Sequence, residues 1–578
     1  MGGVLGRLFR EFAVTITAAI LISGVVSITL TPMLCSRFLR VVHAKKGLAG
    51  LLDRAFDRLF DGYKWSLGAV LRHRFAMIIV FAAVLVGTVR MYGVVQKGFV
   101  PDEDRDFLFS NLRGPQGASY YDTAAVAVRA AEMIKQNPNI ESFNVNLQGQ
   151  GGNVANAQIQ IQLLPRSQRK QSAQQIAQQL RPVFQRFPNY RGFVNIPQSL
   201  QIGFRQGNAS YNVTVQSADQ DSLYKNAQIL SNAMETIPEI QDVSNDLELR
   251  SPKFNLVLDR DKAAAVGLNA SQIANTLSTG LGPKWSSTIY GPTTQYRVML
   301  ELDPKYQEYA DSLEKITFKT QRGTLVPLST VVTTQETVGP QSVNHTGQLP
   351  SVSVNFGLRP GVSLGEAVTA IRRAATQVLP ATVSISFEGS AKIFQEATKN
   401  LGMLLFVAIG VVYIVLGALY ESYIHPITIL SGLPSAGLGA LITLWAFGNE
   451  LNIYSFVGLV MLIGIVKKNA IMQIDFALDA ERRLGVSPTE AIHEGCLVRF
   501  RPIMMTTMAA LLGALPIAAG FGSGGEARRP LGLAVVGGLV FSQMLTLYLT
   551  PVVYTYMAQF FKTSKIRQVT PVPSLVTE

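Results

Sequence analysis

The sequence predicts a membrane α-helical bundle attached to a large α+β part, and three observations support that prediction. Among the 578 residues, 48% are hydrophobic and only 15% are charged, whereas soluble domains carry about 25% charged residues. Apolar windows recur that are long enough to cross a bilayer, which takes about 20 residues. A polar block at 98–392 separates the first two windows from the remaining five.

Each apolar window predicts one membrane helix, and together the windows divide the chain into domains. The seven windows are residues 12–34, 75–96, 401–419, 426–447, 453–474, 502–521 and 531–557. We assign a first membrane helix to 1–35, a second to 75–97 and a five-helix bundle to 393–562, which leaves a tail at 563–578.

Basic residues mark one set of helix ends, and this asymmetry predicts the orientation. The segments 36–74, 482–501 and 562–567 are rich in Lys and Arg. Because cytoplasmic loops are enriched in these residues, that side is predicted to be cytoplasmic, as is the tail, in keeping with the net charge of +13. The chain would then start outside, and its first window lacks the cleavage pattern of a signal peptide. We therefore expect it to be the C-terminal half of a longer protein.

The cytoplasmic segment 36–74 contains an amphipathic helix. Apolar residues recur at helical spacing over 51–63, and Asp and Arg fill the other face. This pattern is typical of a helix that lies on a membrane surface, although a soluble linker helix has the same pattern.

Strand-like and helical segments alternate through the polar block. Repeated βαβ units with antiparallel returns predict ferredoxin-like split βαβ subdomains. The first such subdomain is predicted at 98–205, and the second is divided between 206–252 and 334–392. The intervening residues 253–333 are predicted to form a different module, inserted into the second subdomain.

No motif in the sequence indicates an enzyme. The sequence has no phosphate-binding loop, no nucleophile elbow and no clustered metal ligands. The glycine-rich residues 149–152 lie between two predicted strands, which is typical of a loop and not of a nucleotide site. Cys35 and Cys496 lie near predicted cytoplasmic helix ends and indicate no disulfide. We expect no cofactor, and an ATP-driven pump is disfavoured.

Three methionines, Met504, Met505 and Met508, lie close together in the sixth window. Such a group can indicate the handling of a soft metal. Methionines at helical spacing are more often part of a hydrophobic core, so we predict no metal site.

Two adjacent lysines, Lys467 and Lys468, lie inside the apolar window 453–474. A lysine at the centre of a membrane helix costs about 2.5 kcal/mol or more, so it usually faces a bundle interior and serves an ion or substrate pathway. The pair therefore indicates ion-coupled transport and not a soluble enzyme. We expect Lys467 either to extend toward the headgroups or to face another helix.

Several segments resemble the resistance–nodulation–division (RND) efflux transporters. They are Arg10-Glu-Phe-Ala-Val-Thr15, Leu30-Thr-Pro-Met-Leu-Cys35, Phe99-Val-Pro-Asp-Glu-Asp104, Leu419-Tyr-Glu-Ser-Tyr423, Gly464-Ile-Val-Lys-Lys-Asn-Ala470 and Arg499-Phe-Arg-Pro-Ile-Met-Met-Thr-Thr507. Within the AcrB-like members, the chain is most similar to the MdtB/MdtC type of multidrug subunit. Residues 342–345 and 415–434, together with the lysine motif, carry this likeness. The resemblance covers almost the whole chain but only the C-terminal half of the family.

This resemblance implies a trimeric proton/drug antiporter in the bacterial inner membrane, with the polar block in the periplasm. The proton-motive force would drive export of small amphiphilic molecules, together with a periplasmic adaptor and an outer-membrane channel. No cofactor and no nucleic acid would take part. The seven helices would match the sixth to twelfth of the family, and residues 253–333 its docking subdomain.

The resemblance also implies a proton relay. Lys468 matches the relay lysine, Thr506 the relay threonine and Arg499 an arginine at the cytoplasmic entrance. An ammonium group beside a buried acid lowers the pKa of that acid, so a moving lysine switches its proton affinity. We expect Asn469 and Asp475 to hydrogen-bond around the site, because Asp475 lies two helical turns from Lys468 on the same face.

The acids of that relay lie in the other half of the family's sequence. There, two aspartates on the fourth helix pair with the lysine, and no segment of this chain supplies an equivalent pair. We therefore expect the chain to need an N-terminal RND half that carries an intramembrane Asp pair.

The substrate region departs from the family's pattern. Where the best-known members carry several phenylalanines, residues 143–150 contain only one aromatic side chain, Phe143. Gln148 and Gln150 stand at aromatic positions, which indicates a more polar or amphiphilic substrate, for example a bile-salt-like compound. Alternatively, this loop is a connecting turn.

Functions from two classes remain open at this point. The first is the C-terminal half of a proton-coupled efflux transporter. The second is a non-transporting membrane scaffold or protein-export accessory, and a defunct fragment is a further alternative. A companion reading frame that encodes the N-terminal half would favour transport.

Overall fold

The structure, a computed structural model, describes the chain in eleven stretches. They are residues 3–38, 48–101, 103–147, 155–197, 209–247, 251–282, 284–307, 309–320, 323–340, 342–522 and 524–560. The predicted tail 563–578 lies outside them. The chain divides into two compact units. The larger comprises Met1–Arg113, Thr123–Asp246 and His345–Glu578, and the smaller comprises Gly114–Asp122 and Leu247–Asn344.

Three helices open the larger unit. They are α1 (Gly3–Phe38), α2 (Leu48–Arg72) and α3 (Arg74–Val94). The predicted amphipathic segment lies in α2, and its apolar face packs against the helical bundle. Tyr63 on that face stacks on Phe500 with ring centroids 4.5 Å apart, and its hydroxyl donates to the carbonyl oxygen of Leu547 at 3.0 Å.

The first α/β subdomain has six elements in the order βαββαβ. They are β1 (Phe107–Arg113), α4 (Tyr120–Lys135), β2 (Ile140–Asn146), β3 (Asn156–Leu163), α5 (Ala173–Phe184) and β4 (Arg191–Asn195). The sheet order is β2-β3-β1-β4, and every neighbouring pair is antiparallel. Alternate residues of β3 join the core of the subdomain, because successive side chains of a strand point to opposite faces.

A buried ion pair fixes the start of this subdomain. The guanidinium of Arg169, whose side chain is fully buried, binds the carboxylates of Asp104 and Asp106, the latter at 2.6 Å. It also donates to the carbonyl oxygen of Leu164 at 2.9 Å. Burial alone would raise the pKa of Asp104, but hydrogen bonds from Arg169 and from the backbone N–H of Ala173 outweigh it, so that pKa is lowered.

The second α/β subdomain is interrupted by the smaller unit. Its first part consists of β5 (Tyr211–Gln216), α6 (Gln220–Glu235) and β6 (Ile240–Asn245). Asp219 caps α6, because its carboxylate accepts a hydrogen bond from the N–H of Ser222 at 3.0 Å.

The smaller unit is built from short elements. They are β7 (Ser251–Leu258), α7 (Arg260–Ala265), α8 (Ala270–Leu281), β8 (Lys284–Tyr290), β9 (Gln295–Leu300), β10 (Thr317–Lys319), β11 (Leu325–Pro327) and β12 (Val332–Gly339). The antiparallel pairs are β7 with β12, β8 with β9, and β10 with β11. The predicted inserted module, 253–333, lies within this unit. The unit extends beyond the predicted limits, because β7 pairs with β12 from Ser251 opposite Gly339 to Leu258 opposite Val332.

The second subdomain then resumes. Its remaining elements are β13 (His345–Thr346), β14 (Leu349–Leu358), α9 (Leu364–Val378) and β15 (Ser384–Glu388). The sheet order is β13-β14-β5-β15, and β6 also pairs with β14. Strands β6, β14, β5 and β15 thus repeat the order of β2, β3, β1 and β4. The two stretches that the smaller unit separates in sequence build one sheet.

Six helices complete the described chain. They are α10 (Gly389–Tyr420), α11 (His425–Leu430), α12 (Leu433–Ala446), α13 (Ile453–Leu484), α14 (Pro488–Ala519) and α15 (Gly525–Phe560). The predicted window 426–447 is divided into α11 and α12, and Pro434, which lacks a backbone donor, lies in the first turn of α12. Seven helical stretches of the described chain are long and apolar enough to cross a membrane, the α11–α12 pair counting as one.

Glycines allow α12 and α15 to pack closely. A Cβ atom at Gly439 would lie 2.4 Å from Cβ of Phe541, and one at Gly537 would lie 1.9 Å from Oγ1 of Thr443. Neither position can hold a side chain at this separation, so the contact depends on both glycines. Helices α13 and α15 are the most buried, whereas α1 and α10 leave most of their apolar surface exposed.

The segment between α3 and β1 connects the bundle to the second α/β subdomain. The N–H of Gly98 donates to the carbonyl of Leu451 at 3.2 Å, and the N–H of Leu451 donates to the carbonyl of Gln96 at 2.8 Å. The N–H of Gly365 in α9 donates to the carbonyl of Lys97 at 3.1 Å. We call this the near end of the bundle. The far end is the opposite one, where α10 and α13 finish and α11 and α14 begin.

We predict that Arg169→Leu lowers the free energy of unfolding by about 3 kcal/mol, because buried Asp104 then keeps only the more distant Arg166, 3.9 Å away, as a cation. Lys170→Leu, at an exposed neighbouring position, is the matched control. The lowered pKa of Asp104 means that its contribution to stability is present above the unfolded pKa and is lost as pH falls through the folded pKa. Hydrogen–deuterium exchange of β1 in urea, at neutral and acidic pH, measures both effects. Equal losses for the two leucine variants would contradict the role of Arg169.

Candidate functional site in the helical bundle

The lysine pair is divided between two faces of α13. Lys468 is exposed, and it shares its face with Gly464 and Asp475, which are exposed as well. We call these residues the open face of α13. Lys467 points into the bundle: it is only 4% exposed, and no described residue bonds to its Nζ. Extension of Lys467 toward the headgroups is therefore wrong; it faces other helices, as does Ile474 two turns further on.

Directly after the lysines, α13 contributes to a buried cluster of hydrogen bonds. Nδ2 of Asn469 donates to Oε1 of Gln543 at 2.8 Å and to Oγ1 of Thr507 at 3.1 Å. The hydroxyl of Thr507 donates to the same Gln543 oxygen at 2.8 Å. We call Asn469, Thr507 and Gln543 the central cluster. Because all three are at least nine-tenths buried, their bonds replace those to water and fix how α13, α14 and α15 are rotated against one another.

Two of the predicted relay residues, Thr506 and Arg499, lie on α14 but do not belong to the central cluster. The hydroxyl of Thr506 donates to the carbonyl oxygen of Ile503 in its own helix at 3.1 Å. Arg499 lies nearer the far end, with its guanidinium carbon 5.7 Å from the ring centroid of Phe476 in α13. Its buried Nε has no hydrogen-bond partner among the described residues. The structure thus joins Asn469 to the neighbour of Thr506, not to Thr506 itself.

Two carboxylates lie toward the far end of α13, each bonded to a tyrosine. Asp475, on the open face as expected, accepts a hydrogen bond from the hydroxyl of Tyr420 at 2.7 Å. Glu481 accepts one from the hydroxyl of the buried Tyr554 at 2.8 Å. Within the described chain, no hydrogen bond or ion pair joins Lys468 to either carboxylate.

Thr507 and Gln543 are not predicted from the sequence. Both lie in apolar windows without a neighbouring charge, so a search for charged residues passes over them. The available signal was the amide inside an apolar helix. A buried amide is costly unless it is hydrogen-bonded, so an amide such as Gln543 in an apolar helix indicates a partner on another helix.

The predicted substrate residues lie in the first α/β subdomain or outside the described chain. Phe143 in β2 is half-buried and packs against the core of that subdomain. Gln148 and Gln150 lie outside the described residues. Substrate binding by these three residues stays a prediction.

A cleft of about 410 Å³, with polar and apolar walls, lies between the two α/β subdomains. Tyr190 and Phe193 line it from the first subdomain, and Glu235 and Asp242 from the second. The guanidinium of Arg181 forms an ion pair with Asp242 across this boundary at 2.7 Å. Burial raises the pKa of Asp242 by more than Arg181 lowers it, so the pair holds the subdomains together only weakly.

A larger cavity of about 640 Å³ opens at the near end of the bundle, between α3, α10, α12 and α13. Most of its wall is apolar and includes Phe406 and Leu459. Lys97 and Tyr92 also line it, with Nζ of the lysine 4.5 Å from the centroid of the tyrosine ring. A large apolar wall with one cation suits an amphiphile that has an anionic head group.

The three methionines are spread over different surroundings. The sulfur of Met504 accepts a hydrogen bond from Nε2 of Gln543 at 3.4 Å, whereas Met505 and Met508 are exposed. Within the described stretches, no three His, Cys, Asp or Glu side chains are grouped so that they could hold a metal ion.

The twofold βαββαβ order beside a bundle of long apolar helices defines a transporter fold of the RND class. A sequence model of the AcrB/AcrD/AcrF family matches residues 1–558, and the chain belongs to that family. Its structure is similar to an X-ray crystal structure of a heavy-metal efflux pump, with a TM-score of 0.77 and 23% sequence identity. The similarity covers 87% of this chain and 53% of the pump's chain, so this chain spans about half the pump's length.

We predict that Gln543→Leu lowers the free energy of unfolding by about 2 kcal/mol, because Asn469 and Thr507 lose the oxygen that both bind. Gln559→Leu, at an exposed position of the same helix, should change it by less than about 0.5 kcal/mol. Thermal unfolding of the purified chain in detergent measures both values. An unchanged unfolding temperature for Gln543→Leu would show that the central cluster adds nothing to stability.

Proposed function

We propose that this chain is the C-terminal half of a proton-coupled efflux transporter, which exports small amphiphilic molecules by proton/substrate antiport. The position of Lys468 carries the proposal. Its ammonium lies on the open face of a long apolar helix, next to the buried central cluster and without an ion pair to any described residue. Since an unpaired lysine in a membrane is costly, it favours an acid on a neighbouring bundle as its partner.

The partner that we propose is an N-terminal half of the same family with an intramembrane Asp pair. Such a half would pack on the open face of α13 and bring its acids to Lys468. When the acids are ionised they attract the ammonium, and when they are protonated the attraction is lost. Proton binding would therefore move Lys468 and the helix that carries it. Thr506 would orient the proton, and Arg499 would lie at the entrance of the proton relay at the far end.

The topology follows from the same proposal. Seven helices would span a bacterial inner membrane with the far end in the cytoplasm, as the basic residues Arg482 and Arg483 at the end of α13 support. The two α/β subdomains would be ferredoxin-like porter subdomains in the periplasm, and the smaller unit a docking module. The protein would form a trimer, and a periplasmic adaptor and an outer-membrane channel would bind to its docking modules. Within the family we assign the chain to the MdtB/MdtC type.

An efflux assay in a pump-deficient bacterium tests the proposal. The chain is expressed alone and with a candidate N-terminal half, and export of a fluorescent dye and of a bile salt is followed. We predict export only with both halves, and its loss to background in the Lys468→Ala variant, since the acids would then lack the ammonium that responds to their ionisation. Lys392→Ala, at an exposed lysine at the start of α10, is the matched control and should retain export.

Each other outcome has a definite meaning. Export by the chain alone would overturn the need for a partner, and export that survives Lys468→Ala would overturn the relay. Absence of export despite verified membrane insertion and assembly would contradict transport. It would favour the alternative function, a membrane scaffold or protein-export accessory that uses the α/β surfaces for assembly.

The near-end cavity supports an anionic amphiphile as substrate. We predict that Gly402→Leu, which projects into the cavity where nothing lies within 4 Å, slows the export of bulky amphiphiles. Gly410→Leu is the matched control, because it lies on the same helix, is equally free of neighbours and does not line the cavity.

The charge of Lys97 should select the head group. We predict that Lys97→Ala slows the export of a bile-salt anion by about tenfold, the effect of one lost contact of about 1.4 kcal/mol. Export of a cationic dye should stay the same or improve. Equal loss for anion and cation, measured in the same cells, would show that Lys97 does not contact the head group.

A further inference from the structure

One arc of the helix α2 is occupied by contacts with the bundle. The rings of Phe56 and Phe60 pack on Phe500 of α14, with centroids 5.7 and 5.8 Å from the centroid of that ring. Leu67 and Leu71, about two and three turns beyond Phe60, are buried as well. These contacts fix the rotation of α2 and determine which of its side chains point away from the protein.

A second arc of α2 carries charges of both signs. Since successive side chains lie 100° apart around a helix, Asp57, Asp61 and Lys64 fall within about 60° of one another. All three are exposed. Charged residues are typical of the face that an amphipathic helix turns to water. This charged arc adjoins the packed arc on one side.

The remaining arc, which lies between the charged arc and the other side of the packed arc, is apolar and exposed. It contains Ala55, Leu59, Gly62, Trp65 and Ala69, which fall within about 120° of one another. We call these five residues the outer arc. Trp65 is 79% exposed and Leu59 is 51% exposed. A large indole with so little cover is costly in water, so the outer arc indicates contact with a further surface.

Three arginines, Arg54, Arg58 and Arg72, lie along the edge of the outer arc where it meets the charged arc. In projection they fall within about 40° of one another, with Trp65 in the middle of them. All three are exposed. None forms an ion pair with a described residue, and Nε of Arg54 donates to the carbonyl oxygen of Gly50 in its own helix. Their charges are therefore available to an external anion.

The next helix sets the level of α2 in the bilayer. Helix α2 ends at Arg72 and α3 begins at Arg74, so only His73 separates them. Helix α3 is long and apolar enough to cross a membrane, and Phe75 in its first turn is 70% exposed. Contact with lipid chains would thus begin within one turn of Arg72, which places the end of α2 among the head groups. Tryptophan and basic residues are enriched at that level.

We propose that the outer arc of α2 binds anionic phospholipids, with Arg54, Arg58 and Arg72 on their phosphate groups and Trp65 between the head groups. A guanidinium binds phosphate through two parallel N–H groups, and an indole combines an apolar ring with one N–H donor. A zwitterionic lipid has the same phosphate but adds an ammonium, which the three cations repel. Anionic lipids are therefore preferred, and this preference does not depend on the proposed function.

The emission of Trp65 tests the contact with lipid. The chain has three tryptophans, so Trp285→Phe with Trp445→Phe leaves Trp65 as the only one. This variant is placed in nanodiscs of phosphatidylcholine and phosphatidylglycerol. Lipids brominated at the head-group end of the acyl chain should quench Trp65 strongly, and acrylamide in the water should quench it weakly. Strong quenching by acrylamide without quenching by brominated lipid would overturn the proposal.

The preference for anionic lipid is measured by brominating one lipid at a time. At equal amounts of the two lipids, brominated phosphatidylglycerol should quench Trp65 more than brominated phosphatidylcholine. This difference should be lost in the variant Arg54→Gln with Arg58→Gln and Arg72→Gln. It should be largely retained in Arg54→Lys with Arg58→Lys and Arg72→Lys, and fully retained in Lys64→Gln, the matched control on the charged arc. Equal quenching by both lipids before any arginine is replaced would overturn the preference.

Two controls separate lipid binding from other roles of the outer arc. Because the three arginines are exposed, the glutamine variant should keep the unfolding temperature of the purified chain in detergent. Loss of the lipid preference together with a large fall in that temperature would show that the arginines act on the fold, and would contradict the proposal. Addition of a candidate N-terminal half should leave quenching by brominated lipid unchanged. Its disappearance would show that a protein covers the outer arc instead of lipid.

Discussion

One oxygen atom joins three helices of the bundle and sets how they are rotated against one another. Oε1 of Gln543 accepts hydrogen bonds from Asn469 and from Thr507, and so connects α13, α14 and α15 at a single point. Dispersion contacts between apolar helices are not directional, and they allow rotation at small cost. A hydrogen bond loses strength when its angle or length changes. This oxygen therefore fixes the rotation of α13 relative to α14 and α15.

The rotation decides what the lysine pair can do. With 3.6 residues per turn, consecutive side chains point about 100° apart, so Lys467 and Lys468 cannot share a face. Once Asn469 is held by Gln543, Lys467 is directed into the bundle and Lys468 onto the open face. Two residues of the same type thereby acquire different surroundings. One is available to a neighbouring bundle, and the other is enclosed by its own.

The elements themselves could be predicted from the sequence, because each follows from a local pattern. Alternation of apolar residues predicts strands such as β3, and long apolar windows predict helices such as α13. The limits of the smaller unit could not be predicted, since they depend on β7 pairing with β12 far along the chain. The hydrogen bonding of Asn469 could be predicted because a local motif contains that residue, whereas the relay role of Lys468 stays a prediction. Gln543 and Thr507 required the relative rotation of three helices, which no single window contains.

The backbone hydrogen bonds at the near end have a mechanical consequence. Four backbone hydrogen bonds connect residues 96–99 to 451–453 and to the first turn of α9, with lengths from 2.8 to 3.2 Å. Lys468 lies about 23 Å from the start of α13 on the same continuous helix. A displacement of the whole helix along its axis would therefore act directly on these bonds. Such bonds weaken when stretched by more than about 0.5 Å. The backbone atoms at the near end thus limit how far α13 can move before the second α/β subdomain moves with it. This limit does not depend on which side chain starts the movement.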